Sequence, residues 1–180
     1  QNGMVMLSED RRQYGIVPVR SVKENTTLAS LRTVFYGGRL HARDEARKVG
    51  DIFEKMRVKT PSLETPIESL SGNQQKVVLA KWIICNPAIL ILDEPTRGID
   101  VGAKYEIYRL ITDLAKRGKT ILMVSSELPE LIGMCDRIYV MYQGTMTGEI
   151  GRDAFSQELV MKYATGILKE DVGFSEHKSA

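Results

Sequence analysis

The chain has 180 residues, 43% of them apolar, with 25 basic against 23 acidic side chains and a formal charge of +2. That length suits one domain with a real core, and the near-neutral balance gives no case for a nucleic-acid face. Cys85 and Cys135 both sit in apolar surroundings, which argues for buried free thiols rather than a disulfide framework. No apolar run approaches the ~20 residues needed to span a bilayer. The opening Gln1-Asn2-Gly3 is neither a signal peptide nor an initiating methionine, so it is expected to be a cut inside a longer chain or the start of an incomplete one.

Met4–Leu7 is a short apolar run that predicts a strand feeding a polar loop through Arg12. Ser21 and Glu24 have capping-box spacing and predict a helix from Val22 to about Phe35, ended by Gly37-Gly38. His41 to Met56 is expected to be helical, with Val49, Ile52, Phe53 and Met56 on one stripe. Pro61 and Pro66 bracket a loop, and the stretch up to Pro66 reads as a helical lobe. Beyond Leu70 the pattern changes. A helix over Asn73–Ile84 is followed by a strand at Ala88–Leu92, a helix at Val101–Lys116 and a strand at Thr120–Val124. A short helix near Leu128–Gly133 precedes strands at Arg137–Tyr142 and Thr145–Ile150 and a last helix at about Ser156–Leu168. Strands alternating with helices predict an α/β fold with a mostly parallel sheet.

Two motifs carry the chemistry. Ile89–Leu92 is four apolar residues in a row, expected to be buried on both faces as in a central parallel strand. Ligands in such sheets bind beyond the carboxyl ends of strands, where Asp93 and Glu94 stand. Asp93 suits magnesium, a hard cation that prefers oxygen, and Glu94 suits a group that orients or deprotonates water. On its own, an acidic pair before a proline more often just ends a strand. The second motif is Leu70-Ser71-Gly72-Asn73-Gln74-Gln75-Lys76, a helix start offering unpaired N–H groups, a serine hydroxyl and a glycine that permits close approach. Most such serines are ordinary N-caps. The two motifs together favour a phosphate-handling site, yet the 180 residues contain no G-x-x-x-x-G-K-[ST] loop.

Leu70–Lys76 resembles the signature motif of ATP-binding-cassette ATPases, Ile89–Glu94 their Walker B strand and Thr96-Arg97-Gly98-Ile99-Asp100 their D-loop. The run Asp93–Lys104 is similar to the second ATPase half of the fused, two-cassette subunits of ribose, galactose and xylose importers in bacteria. Ser8–Arg12, Met56–Pro61 and Ser125–Glu130 match that subgroup too, and the resemblance runs to about Leu168. It implies a P-loop NTPase-like cassette divided into a Q-loop region (1–20), a helical and signature lobe (21–86), a Walker B, D-loop and switch core (87–150) and a C-terminal helix and tail (151–180). It also implies ATP and Mg2+ as ligands. Ser71 and Gly72, flanked by Leu70, Asn73 and Gln74, would serve ATP held by another cassette. Asp93 as metal ligand and Glu94 as catalytic group would serve ATP on their own cassette. Asp100 would couple the two sites, although it is equally placed to cap the helix at Val101. Glu9 stands where many cassettes carry the Q-loop glutamine, and a solvated loop acid is its plainer role.

The partners so implied are a first cassette on the same polypeptide, a membrane permease and, indirectly, a sugar-binding protein, with no nucleic acid. The location implied is the cytoplasmic face of a bacterial membrane, held peripherally. Heptads joining cassette halves through coiled coils, as in chromosome-maintenance ATPases, are not found. Three departures from the pattern stand out. The P-loop is absent, which predicts a fragment that binds ATP poorly alone. Ser126 occupies the usual switch-histidine position, where it can donate a hydrogen bond but carries no charge near neutral pH. The signature has one glycine fewer than the subgroup's Leu-Ser-Gly-Gly-Asn-Gln-Gln-Lys, a loss that rotates the helix behind it by ~100° unless the loop absorbs it. The last two keep open a degenerate cassette that only completes a partner's ATP site.

Overall fold

The computed structural model describes residues 3–10, 14–70 and 73–170, and the chain divides after Val124 into two units. The first opens with strand β1 (Met4–Leu7). Ser21 then starts helix α1 (Val22–Thr27): its hydroxyl accepts from the Glu24 N–H at 3.2 Å, and the Glu24 carboxylate accepts from the Ser21 N–H at 2.9 Å. This reciprocal box satisfies two N–H groups that a helix start leaves open.

The expected helix to Phe35 is cut short. The Thr26 and Thr27 hydroxyls bond back to the Val22 and Lys23 carbonyls at 2.7 and 3.2 Å, competing with the helical ladder. Residues Leu28–Thr33 wind instead as 3-10 turns, with Ser30 out of helical geometry at φ −121° and ψ 23°. Gly37 and Gly38, at φ 58° and 76°, do not stop a helix but turn a hairpin between β2 (Phe35–Tyr36) and β3 (Arg39–Leu40). Two positive φ values in succession are what a tight hairpin requires.

Helix α2 (Ala42–Met56) buries Val49, Phe53 and Met56 on one stripe, as its periodicity predicts. Helix α3 (Gln74–Ile84) is buried continuously from Gln74 to Lys81, so it is an internal helix rather than an amphipathic one. Strand β4 (Ile89–Asp93) leads to α4 (Val101–Lys116), which buries Ile107, Ile111 and Leu114, and then to β5 (Thr120–Val124).

The three strands form a parallel sheet in the order β1–β4–β5, with β4 central. Leu7, Leu90 and Leu92 are buried on one face. The expectation that β4 is buried on both faces fails: Ile89 and Ile91 are only half-buried. The register explains why. It sets Ile91 beside Met6 and Leu122, and Met6 and Leu122 are 51% and 52% exposed.

The second unit holds α5 (Leu128–Met134), strands β6 (Arg137–Tyr142) and β7 (Thr145–Gly151), and α6 (Gln157–Ala164). β6 and β7 pair antiparallel as a separate two-stranded sheet, so the parallel arrangement expected of the chain is confined to the first unit. Ile138, Val140, Ile150, Val160 and Tyr163 make the core of this unit. Gly148 admits the Tyr163 ring, since a Cβ there would come within 2.6 Å of it. Ser156 caps α6 by accepting from the Leu159 N–H at 3.1 Å. The helix ends at Ala164 rather than Leu168, with Gly166 at φ 74° just beyond.

Candidate functional site

Asp93 is the last residue of β4 and lies beside Val124 at the end of β5, so it stands at the carboxyl edge of the parallel sheet. Glu94 comes next at φ 46°, in the left-handed region that a non-glycine residue enters at a cost of about 1–3 kcal/mol. Its N–H donates to the Val124 carbonyl at 2.9 Å, which pins the turn against β5. The chain then closes two short turns, Arg97 N–H to the Glu94 carbonyl and Ile99 N–H to the Thr96 carbonyl, both at 3.2 Å. Gly98, at φ 68°, supplies the reversal, and Thr96 and Ile99 are buried. This loop delivers Asp100, whose carboxylate accepts from the Ala103 N–H at 3.0 Å and caps α4.

The loop after β1 meets the loop after β4. The Glu9 carboxylate pairs with the Arg97 guanidinium, both side chains being largely exposed. Such a pair contributes little stability but sets which charges face each other.

Ser71 and Gly72 lie outside the described residues. Their neighbours are tied into the lobe. Leu70 is buried and donates its N–H to the Ile67 carbonyl at 3.1 Å. Gln74 is buried and its amide donates to the same carbonyl at 3.1 Å. The Asn73 side chain accepts from the Lys59 N–H at 3.2 Å and makes no cap to α3.

Two lysines on α3 carry contacts that sequence reasoning missed. Lys76, 5% exposed, pairs with Glu106 on α4 and donates to the Arg57 carbonyl at 3.2 Å, tying the signature helix to the helix that begins after Asp100. Lys81, also 5% exposed, donates to the Gly15 carbonyl at 2.6 Å and lies 4.7 Å from the Trp82 ring centroid. Burial pushes the Lys81 pKa down. Lysines spaced along a largely apolar helix signal a need for buried partners, though the sequence does not say which residues these are.

In the second unit, Ser126 is exposed. Its neighbour Ser125 bonds the buried Glu130 carboxylate and accepts from the Glu127 N–H at 3.0 Å, so Ser125 organises the start of α5. His41 stacks on Tyr36 with centroids 3.6 Å apart, as part of the hairpin lobe. Cys85 and Cys135 are free and half-buried, each with its thiol pKa raised mainly by burial.

Among the described residues no group of three or more His, Cys, Asp or Glu side chains could hold a metal. Phosphate-bound magnesium takes one or two protein carboxylates and completes its shell with water and phosphate oxygens. Asp93, at the end of β4, could supply one such carboxylate.

An acidic strand end at the carboxyl edge of a parallel sheet, with a helical lobe in the same unit, fits an ATPase cassette fold. Solved structures share it. An ATP-binding cassette dimer in a post-hydrolysis state bound to ADP and Pi superposes with a TM-score of 0.72 at 21% identity, over 84% of this chain and 64% of that one. A nucleotide-free ATP-binding cassette from an ABC transporter gives 0.70 at 20% identity, over 89% and 68%. The ABC transporter family model matches residues 2–97, more than half of the chain, and the chain belongs to that family.

Among curated relatives, the xylose import ATP-binding protein of Geobacillus kaustophilus is 50% identical over 167 residues, covering 92% of this chain and 33% of that protein. The L-arabinose transport ATP-binding protein of Geobacillus stearothermophilus is 50% identical over 165 residues, covering 91% and 32%. The ribose import ATP-binding protein of Clostridium perfringens is 49% identical over 170 residues, covering 92% and 34%. The chain thus spans about one third of the length of these relatives.

Proposed function

We propose that this chain is part of an ATP-binding, ATP-hydrolysing subunit that energises the import of a monosaccharide through an ABC transporter. The observation that carries the proposal is the acidic pair at the end of β4, with Glu94 held at positive φ by its bond to Val124. Its support is membership of the family and about 50% identity to sugar import ATP-binding proteins.

In this scheme Glu94 orients and deprotonates the water that attacks the γ-phosphate. Asp93 holds magnesium, which when bound neutralises charge on the phosphate oxygens. Asp100 fixes the start of α4 and stands at the seam with a second cassette, where the hydroxyl of Ser71 serves the ATP of that cassette. Glu9 and Arg97 link the nucleotide-side loops to each other. Ser126 takes the switch position. Catalysis is then positioning plus electrostatics.

The partners we propose are a first cassette on the same polypeptide, a membrane permease and a sugar-binding protein beyond it. A small cleft of about 220 Å³ on the lobe, lined by Val17, Leu28, Leu31 and Leu40 together with Arg20, Glu24 and Glu45, suits a permease segment. No helix among the described residues is long and apolar enough to cross a membrane, so attachment through the permease, at the cytoplasmic face, fits the chain.

The test is Glu94→Gln in the native polypeptide that carries this sequence. Steady-state ATP turnover at this site should fall about 10²- to 10⁴-fold, the share a general base supplies, with MgATP affinity kept. Unchanged turnover would overturn the catalytic role. It would instead favour a second reading, a cassette that only completes its partner's site, which Ser126 in place of histidine supports.

A further inference from the structure

A cleft of about 400 Å³ opens between the C-terminal halves of α2, α3 and α4, at the amino end of β4. Leu90 lines it, and Asp93 lies three residues further along the strand, about 10 Å away at the opposite edge of the sheet. The cleft is therefore separate from the acidic strand end.

Its floor is apolar, made by Ile52, Ile84, Leu90 and Leu114. Its rim carries four cations, Lys48, Lys55, Arg117 and Lys119, against one carboxylate, Asp51. Lys48 donates to the Thr33 carbonyl at 2.6 Å and Lys119 to the Asn86 side-chain oxygen at 2.8 Å. Both acceptors are neutral, so neither lysine is ion-paired through them, and Asp51 is the one carboxylate on the rim. Among the described residues Lys55 and Arg117 make no ion pair. Like charges gathered around one concavity repel each other, and an anion relieves that repulsion.

We propose that this cleft binds a small organic anion, with a carboxylate or phosphate head between Lys55 and Arg117 and an apolar body on Ile52 and Ile84. The volume lies in the range of about 300–1,000 Å³ that small-molecule sites occupy. Apolar lining with a few convergent charged groups is the composition such sites share. Arg117 offers a planar fork suited to either head group, and Lys55 adds a mobile point charge. Because α2 and α4 each contribute a cation, a bound anion would also clamp the lobe to the sheet's helix.

The probe is 8-anilinonaphthalene-1-sulfonate, an anion with an apolar body, titrated by fluorescence into the native polypeptide carrying this sequence. One saturable site should appear. The double variant Lys55→Gln, Arg117→Gln should weaken it by about tenfold or more, the size of a lost charge-assisted contact. Asp51→Asn should tighten it at an unchanged single-site stoichiometry, whereas general destabilisation adds dye sites and raises the neutral analogue's signal as well. Neutral N-phenyl-1-naphthylamine should not respond to either change. Competition by octanoate and by octyl phosphate then separates the two head groups, and displacement by either supports the site. Unchanged dye affinity in the double variant, or an equal response from the neutral analogue, would overturn the proposal. ATP turnover is not the readout, so failure here leaves the proposed transport role untouched.

Discussion

The two helices that flank β4 start in opposite ways. α4 is closed by its own sequence: Asp100 accepts from the Ala103 N–H, and only one stripe, Ile107, Ile111 and Leu114, is buried. α3 is closed by nothing from its own N-cap residue, because the Asn73 side chain is spent on Lys59, and it is buried from Gln74 through Lys81. The contrast teaches a division of labour. α4 is a self-contained element that holds the loop carrying Glu94 and Asp100. α3 depends on its surroundings for burial, and its Asn73 side chain contributes no cap to its first turn.

The largest expected effect breaks the comparison through packing. Leu79→Ala, at a position with no exposure on α3, should cost about 2–5 kcal/mol in denaturant unfolding, whereas Val101→Ala at the 85% exposed start of α4 should stay within about 0.5 kcal/mol. Similar costs at both positions would mean that α3 is not the more embedded helix.

Next in size is Lys81→Met. It removes a buried charge but strands the Gly15 carbonyl, a loss of about 1–3 kcal/mol near neutral pH. The sign of the pH effect comes from burial. The folded pKa lies below the unfolded value, so the unfolded chain binds the extra proton between the two, and this group's contribution to stability rises with pH across that window up to the unfolded pKa. Stability of the Met variant, measured by urea titration at several alkaline pH values, should lack that rise.

The smallest effect concerns the caps themselves. Asp100→Ala should cost about 1 kcal/mol and speed hydrogen exchange at the Ala103 amide. Asn73→Ala should leave exchange in the first turn of α3 unchanged, since its side chain makes no cap there. Faster exchange in α3 would erase the distinction between the two starts.

Much of this frame was legible in the residues. α4, β5 and β6 fall where periodicity and punctuation place them, because each is bounded by strong local signals such as Asp100 and Gly118. The capping box at Ser21 and the cap at Asp100 were also readable, being local chemistry. Features that depend on partners were not. Back-bonding threonines cut α1 short, and the two-residue strands β2 and β3 have no periodicity to detect. The uneven burial of β4 depends on which face is covered, and a run of four apolar residues does not encode that. The placement of Asp93 and Glu94 at the carboxyl end of β4 was legible from the strand-end pattern. The Glu9–Arg97 and Lys76–Glu106 pairs were not, since each joins residues far apart in the chain.

The left-handed backbone at Glu94 has a consequence for how this position can change. The residue types that enter that region most readily are glycine, asparagine and aspartate, and β-branched ones the least. A change to valine, isoleucine or threonine would therefore disturb the loop itself, whereas glutamine keeps the length and the unbranched Cβ of glutamate. Backbone shape alone therefore restricts this position, and variants that lose the carboxylate while keeping the loop should fall among a narrow set of side chains.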